Sequence, residues 1–495
     1  MSGQDRRVYL LSPRTLSPET IAVAFAKTSR SPESFDVIAS ALSEEASAQF
    51  HERWVVGYGH ASVAEHAVLH IALENVSRLA IECVESNRLA SYTEKSTRYQ
   101  MWDRTAFVVP AEIRGSPLDG PYRQTCERLL DTYVQSLEPL KRVAQAAFPR
   151  EDGESEARWD GRIRSSYVDV ARYLLPSAVL SHVGVTLNAR ALEHAIRKML
   201  SHPLGEVRDI GEDVRRVAQR EVPTLVKYAQ ASPYLSRLAH TNPGTREQES
   251  SGGPAAEAFG PAGGVFLRHA EPAAEVRALA AAAVRTEGLA YPQALHTMET
   301  SPERRRAAGD VLLEEMGPWD HPSRELEHVI YTVEIVADQG AYFEAKRHRM
   351  LSLTSAPLTC DLGYVTPRWM AEAKLLDTYR RAMDAAREAY DQIARENPAL
   401  AGYVVPNGYL RRFLMTLNLR EAFHLCELRA RPTAHFAMRV VALHLAELVR
   451  QVHPLLGSRM RLEDLPDWRS LEADCFMQSS LPSSIAGPNG MLRNP

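Results

Sequence analysis

The sequence predicts an α+β protein made of two tandem copies of one domain, each a small, mainly antiparallel sheet with long helices. Three observations carry this. The chain has 495 residues, too many for one ordinary domain and comfortable for two. From about His240 to Gly264 it runs rich in Gly, Pro, Ser and Glu without periodicity, the signature of a linker. Landmarks on either side of that stretch recur in the same order. Domains are expected over 1–240 and 265–495, joined by a linker over 241–264.

Taken in order, each half opens on a short apolar segment of strand character, Val8 to Leu11 and Val265 to Leu267. Helical patterns follow. Each half then presents a His/Ser/Glu-His cluster: His60, Ser62, Glu65 and His66 in the first, His321, Ser323, Glu327 and His328 in the second. A strand candidate comes next. Val68, His70 and Ala72 alternate with Leu69, Ile71 and Leu73, and Tyr331, Val333 and Ile335 alternate with Ile330, Thr332 and Glu334. The last landmark is a helix opening Asn188-Ala-Arg190 with His194 in the first half, echoed as Asn418-Leu-Arg420 with His424. His60 to His321 and Arg88 to Arg349 share one offset, while Asn188 to Asn418 has a smaller one. The first half therefore has the longer middle, expected in the polar stretch around Arg150 to Arg164.

Composition narrows the function. At 45% hydrophobic residues each half can bury a core. A net charge of −4 gives no global field for nucleic acid. Five scattered cysteines without a C-x-x-C pair fit reduced thiols in a cytoplasmic protein better than a disulfide framework or a thiolate zinc site. Val8 to Leu11 is too brief for a signal peptide, and no apolar run is long enough to span a bilayer.

Several polar words carry chemistry. Glu94, Ser96 and Arg98 recur with period two, so an extended segment would project them from one face to grip a phosphate and a ribose or base edge. The alternative is a solvated strand face with an internal Glu94–Arg98 pair. Lys346-Arg347-His348-Arg349 packs positive charge expected to open a turn or helix and to suit an anion, or else forms an ordinary basic surface run. Arg420 and His424 share a helix face. Arg429, further along, would need an anionic ligand if buried without a carboxylate, or would pair with Glu427 at the surface. Glu65, His66 and His70 do not form H-E-x-x-H and lie on a strand-like stretch, which disfavours a metal site. There is no P-loop, no G-x-G-x-x-G after a strand and no convincing Cys or Ser nucleophile.

Together these segments resemble flavin-dependent thymidylate synthases, whose motif reads R-H-R-x-x-S-x-N-E-x-S-x-R-Y, in two copies covering nearly the whole chain. The first copy, Ser86-Asn87-Arg88 through Glu94-Lys95-Ser96-Thr97-Arg98-Tyr99, lacks the first Arg and His but keeps the rest nearly intact. The second keeps Arg347-His348-Arg349 and loses the later Glu, Ser, Arg and Tyr. The family's arginine before a helical-segment proline matches Arg172 before Pro176, whereas Gly402 stands before Pro406. Its late arginine matches Arg429, whereas the first copy has Met199.

The losses are complementary, and the family's nucleotide pocket is shared between subunits. The resemblance therefore implies a pseudo-dimer with one composite site: Glu94, Lys95, Ser96, Thr97, Arg98 and Arg172 facing Arg347 and Arg429, with Arg429 catalytic. It implies FAD held by Arg347, His348 and Arg349, with Glu94, Ser62 and Ser323, and by Asn418, Arg420 and His424 or their echo Asn188, Arg190 and His194. The reciprocal site lacks both sets and is expected to be dead. The implied reaction is reductive methylation of dUMP to dTMP, with methylenetetrahydrofolate and NADPH as co-substrates, in a homodimer that forms a pseudo-tetramer. Rival readings are a nucleotide- or flavin-binding homologue without turnover, a flavin/folate enzyme acting on another uridylate, and a metal-dependent hydrolase using Glu65, His66 and His70.

Overall fold

Alternation of apolar and polar residues builds two antiparallel sheets. The computed structural model describes residues 7–28, 31–52, 61–98, 100–239, 259–317 and 319–477. His60, Tyr99 and most of the expected linker lie outside them. In the first half β1 (Val68–Ser77) turns Leu69, Ile71 and Leu73 inward and Val68 and His70 outward. It pairs with β3 (Leu180–Asn188), which also pairs with β2 (Ala90–Glu94), giving the order β1-β3-β2. In the second half β4 (Gly264–Ala270), β5 (Ile330–Asp338), β6 (Ser352–Ser355) and β7 (Leu410–Asn418) form a sheet of order β4-β5-β7-β6. β1, β2 and β3 correspond to β5, β6 and β7.

β3 and β7 end on Asn188 and Asn418 because each asparagine caps the helix that follows. Asn188 Oδ1 accepts from Ala191 N at 2.9 Å and Asn418 Oδ1 from Glu421 N at 2.8 Å, starting helices Ala189–Leu200 and Leu419–Arg429. Likewise Ser77 and Asp338 cap the equivalent short helices Arg78–Val84 and Gln339–Ala345. The longer middle of the first half is helical. Helices Asp119–Ala147 and Glu156–Ala171 stand where the second half has Leu376–Glu396 and the single turn Pro398–Ala401.

The halves differ at one edge. β4 pairs with β5, but the expected counterpart at Val8 to Leu11 joins no strand, and Val8 and Leu10 are exposed. The register supplies a reason. Opposite β3 residue His182, β1 places two residues, Glu74 and Asn75, where β5 places only Val336 opposite Arg412. Val336 is where β4 begins its pairing, opposite Gly264. The extra residue is a bulge, with Asn75 at φ 55°, and it breaks the edge a first strand would use. The same bulge offsets the extra residue in the second His/Ser/Glu-His cluster. The expected linker also ends early: Gly260 and Gly263 exchange hydrogen bonds in a turn, and Gly264 already belongs to β4.

The halves meet about a pseudo-twofold axis. Ser177 N donates to Val405 O at 3.0 Å, and its equivalent Asn407 N donates to Leu175 O at 3.0 Å. Ala178 N to Tyr403 O, at 2.8 Å, is mirrored by Gly408 N to Tyr173 O, at 3.0 Å. Pro176 faces its own counterpart Pro406 at the centre. Reciprocal contacts of this kind define an isologous interface, here formed within one chain. Helices Asp119–Ala147 and Leu376–Glu396 pack together beside it. Among the described residues no helix is long and apolar enough to cross a membrane.

Candidate functional site

On the first-half side, β2 ends at Glu94 and the chain turns at Thr97 and Arg98, so Glu94, Ser96 and Arg98 do not share one strand face as expected. Nor do Glu94 and Arg98 pair with each other. Glu94 Oε1 accepts from Arg78 Nη1 at 2.7 Å, and the buried Arg78 guanidinium lies 4.2 Å over the ring of Phe343 from the second half. Ser96 Oγ accepts from Arg98 N at 3.2 Å and fixes the turn. Arg98 grips Asp169 in a fork, Nε to Oδ1 at 2.9 Å and Nη2 to Oδ2 at 2.7 Å. Arg172, at the end of helix Glu156–Ala171, donates to Thr97 Oγ1 at 3.1 Å and lies 3.2 Å from Asp169. Lys95 points elsewhere, its Nζ 4.9 Å from the Trp102 ring.

On the second-half side, Lys346 to Arg349 forms a turn, one of the two expected forms, directly after helix Gln339–Ala345, and its charge suits the negative helix end. Arg429 ends helix Leu419–Arg429. Its Nε donates to His348 Nε2 at 3.1 Å, and its Nη1 lies 3.5 Å from Glu344. His348 Nδ1 meets Glu421 Oε1 at 2.7 Å. These partners assign the proton to Nδ1, leaving Nε2 to accept from Arg429. Glu427 is not the partner of Arg429, because it is taken by Arg461.

The two sides join directly. Arg98 Nη1 donates to Thr433 O at 2.7 Å and lies 4.0 Å from Glu344, the carboxylate that Arg429 also faces. Arg347 is exposed, and its charge acts on both Arg78 and Arg429. Among the described residues its side chain has no hydrogen-bond or ion-pair partner. The structure thus gathers Glu94, Thr97, Arg98, Arg172, Arg347 and Arg429 within one chain.

The balance of charge is positive. Five guanidinium groups (Arg78, Arg98, Arg172, Arg347, Arg429) face three carboxylates (Glu94, Asp169, Glu344). Burial would raise the Asp169 carboxyl, but Arg172, His435 and Arg98 hold it far below its usual range. His435 is fully buried between Asp169 at 3.7 Å and Asp338 at 3.6 Å. Burial and Arg172 would lower it, yet the two carboxylates raise it above its usual value. Burial lowers the Arg429 guanidinium, against the pull of Glu344, with Arg347 and Arg98 adding to the fall. Arg172 Nη2 is buried without a hydrogen-bond partner among the described residues. A buried donor left in that state is costly, and an anion entering beside Arg347 would satisfy it.

The remaining predicted residues fall into two groups. Arg420 donates to Pro322 O at 2.7 Å and pairs with Glu327, next to Ser323. The His424 ring lies 5.2 Å from that of His348, tying this helix to the Arg347–Arg349 turn. Arg349 crosses to the first half and donates to the Ala90 and Arg88 carbonyls. Asn188, Arg190 and His194 line a separate cavity of about 670 Å³ with Ser86 and Asn87. Ser62 is exposed on the short helix Ala61–His66, whose Glu65 pairs with Arg190. His70 bonds Thr186, and no group of three metal-ligating side chains occurs among the described residues.

With this geometry in place, similarity to known proteins becomes decisive. The family model for thymidylate synthase complementing protein (Thy1) matches residues 11–224 and again residues 267–455. The chain belongs to this family. Its duplication is therefore a tandem Thy1 repeat. A UPF0159 protein of Chlamydia muridarum is 29% identical over 445 residues, covering 86% of this chain and 82% of that protein. A UPF0159 protein of Thermoplasma acidophilum is 28% identical, covering 86% and 91%. A flavin-dependent thymidylate synthase of Clostridium tetani is 26% identical over 216 residues, 43% of this chain and 83% of that enzyme, the span of one Thy1 copy. A UMP/dUMP methylase from Streptomyces cacaoi aligns over 40% of this chain and 94% of its own, at 18% identity and a TM-score of 0.32.

Sequence reading missed six residues of this candidate site, among them Glu421, which holds His348. Asp169 stands three before Arg172 on one helix, and that spacing is a usable signal. Glu344 stands three before Arg347, but its partners are Arg98 and Arg429, which that spacing does not reveal. Arg78, Asp338 and His435 carry no such mark. Their partners come from sequence-distant segments, and only burial exposes their importance.

Proposed function

We propose that the chain methylates dUMP to dTMP with FAD, methylenetetrahydrofolate and NADPH at the site shared by its two Thy1 copies. The observation that carries this reading is the convergence of Arg98 and Arg172 from one copy with Arg347 and Arg429 from the other, with an unsatisfied buried Nη2 on Arg172.

Arg98, Arg172 and Arg347 bind the nucleotide phosphate, with Asp169 fixing the first two in place. Thr97 and Ser96 hold the turn that presents Arg98. Glu94 is held by Arg78 as an acceptor for the sugar or base edge. Arg429 stabilises negative charge developing on the pyrimidine, and the neutral His348 ring, anchored on Glu421, sets its direction. The donor set fits a flavin dinucleotide. Arg347 has no partner of its own, and Arg347, His348 and Arg349, with Ser323, Asn418, Arg420 and His424, offer cations and amides beside the nucleotide-facing arginines. When bound, the flavin supplies the reducing equivalents for methyl formation, and the chain's residues orient the reactants. Two copies of the chain would give the four Thy1 domains of a pseudo-tetramer.

The test is direct. Purified chain supplied with FAD, NADPH, methylenetetrahydrofolate and dUMP should form dTMP, and its gene should complement a thymidine-requiring strain. Binding of dUMP without product would replace this reading with that of a nucleotide-binding homologue. Product from UMP alone would change the substrate.

A further inference from the structure

The pseudo-twofold axis relates the composite site to a second location where the counterparts of both motif sets are replaced, although His348 and Arg349 reach its wall from the composite side. Ser86 and Asn87 stand where the composite site has Arg347 and His348. Ser355, Pro357, Thr359 and Gly402 stand for Glu94, Ser96, Arg98 and Arg172. A site that had simply decayed would be expected to collapse or to fill with apolar side chains. Instead it is an open cavity of about 910 Å³, within the roughly 300–1,000 Å³ of small-molecule sites.

Its lining has a polar set of its own. Glu82 accepts from Arg411 Nη1 at 2.9 Å and from Tyr342 OH at 2.9 Å, with Arg411 stacked 4.4 Å over the Tyr342 ring. The equivalents on the composite side are Phe343, Ser181 and Ile81, so this network exists on one side only. Glu85 pairs with Lys346 at 2.6 Å. The five lining cations are Arg88, Lys198, Lys346, Arg349 and Arg411, against the carboxylates Glu82 and Glu85. Once the two pairs are made, Arg88, Lys198 and Arg349 have no carboxylate partner among the described residues.

Lys198 is the telling member. It replaces Leu428 of the other side. It is partly buried, and among the described residues its ammonium reaches only the neutral Ser86 hydroxyl and the Asn87 amide oxygen, the latter at 3.3 Å. Burial lowers its pKa. A buried ammonium without a counter-charge is unfavourable unless an anion joins it. The rest of the wall sets an apolar part, Leu79, Leu351, Leu353, Leu358 and Pro398, beside the polar His202, Ser355, Thr359 and Asn397. Such a wall suits a flat or hydrocarbon body attached to the charge.

We propose that this cavity is a second, non-catalytic ligand site that binds an organic phosphate of nucleotide size, its phosphate beside Lys198 and Arg88. The assignment rests on this cavity alone and stands whether or not the composite site makes dTMP. Guanidinium and ammonium groups together match a phosphate's several oxygens.

Calorimetric titration of the full chain carrying Arg98→Ala, which disables the composite site, tests it. The probes are dUMP, dTMP, UMP and AMP, with inorganic phosphate and citrate as arms for the bare anion and for carboxylates. At least one nucleotide should bind with Kd below ~1 mM. Added Lys198→Ala should weaken it at least ~10-fold, whereas Lys198→Arg retains it, and affinity should fall as salt rises. Circular dichroism checks folding of each variant, and Arg88→Ala replaces Lys198→Ala if the latter does not fold. Absence of binding by all four nucleotides overturns the proposal, as does binding unchanged by loss of Lys198 or Arg88. Tighter binding of citrate than of every nucleotide also overturns it.

Discussion

Arg98 and Arg429 come from opposite copies of a duplicated domain and face one carboxylate, Glu344, at 4.0 and 3.5 Å. That relationship exists inside a single chain. Under the proposed function, two halves of one polypeptide would do what two identical subunits otherwise do, leaving each copy free to lose the residues the other retained.

The first prediction concerns those arginines. Arg98→Ala and Arg429→Ala should each lower dUMP turnover by at least ~100-fold, the scale of losing one preorganised charge at a reacting centre. Because both side chains meet within one chain, mixing the two variants should not restore activity. Recovery on mixing would place the working site between chains, and full activity of either single variant would remove it from the reaction.

Asp169 holds Arg98, Arg172 and His435 together, so Asp169→Asn should destabilise the fold by about 3–5 kcal/mol, the cost of stranding buried charge. Its folded pKa lies below the ordinary 3.8. The stability it contributes is therefore present above pH 3.8 and lost as pH falls through the folded value. Denaturant melts should show a weaker acid limb in the variant than in the parent. Equal limbs would mean that the carboxylate is not anchoring these cations.

His435 acts in the opposite direction. Its folded pKa lies above 6.5, so the stability from its charged form is complete below pH 6.5 and declines as pH rises through the folded value. His435→Gln should flatten the fall of Tm on the alkaline side. An unchanged slope would show that the ring is neutral between Asp169 and Asp338.

Tyr403 is a control at the interface. Its hydroxyl donates to Glu206 at 2.7 Å and to none of the clustered arginines. Tyr403→Phe should cost about 1 kcal/mol, the net worth of one hydrogen bond, because the half-buried Glu206 keeps the Ser77 N and Oγ donors, with dUMP KM unchanged. A raised KM would tie the interface to the nucleotide site.

Parts of the fold were legible because they depend on local pattern. Leu69, Ile71 and Leu73 alternate with outward residues, and the strand follows from that period. Asn188 and Asn418 cap helices where a recurring N-x-R places them. The missing edge strand at Val8 to Leu11 was not legible. Nothing in the local sequence marks Glu74 and Asn75 as two residues sharing one position, since a bulge exists only relative to the partner strand.

The sequence by itself determined that the protein is a repeated domain, and the complementary losses around Arg98 and Arg347 determined which copy carries which half of the motif. Periodicity, capping and motif spacing are properties of neighbouring residues, and a linear chain displays them. Only the tertiary structure decided that the surviving halves meet within one chain and that Glu94 answers to Arg78. It also decided that Asp169, Glu344 and His435 organise the arginines, and that the motif-poor side remains open and cationic. Those outcomes depend on burial and on contacts between distant segments. The energy of a charge is set by what surrounds it in space, and sequence order does not display that.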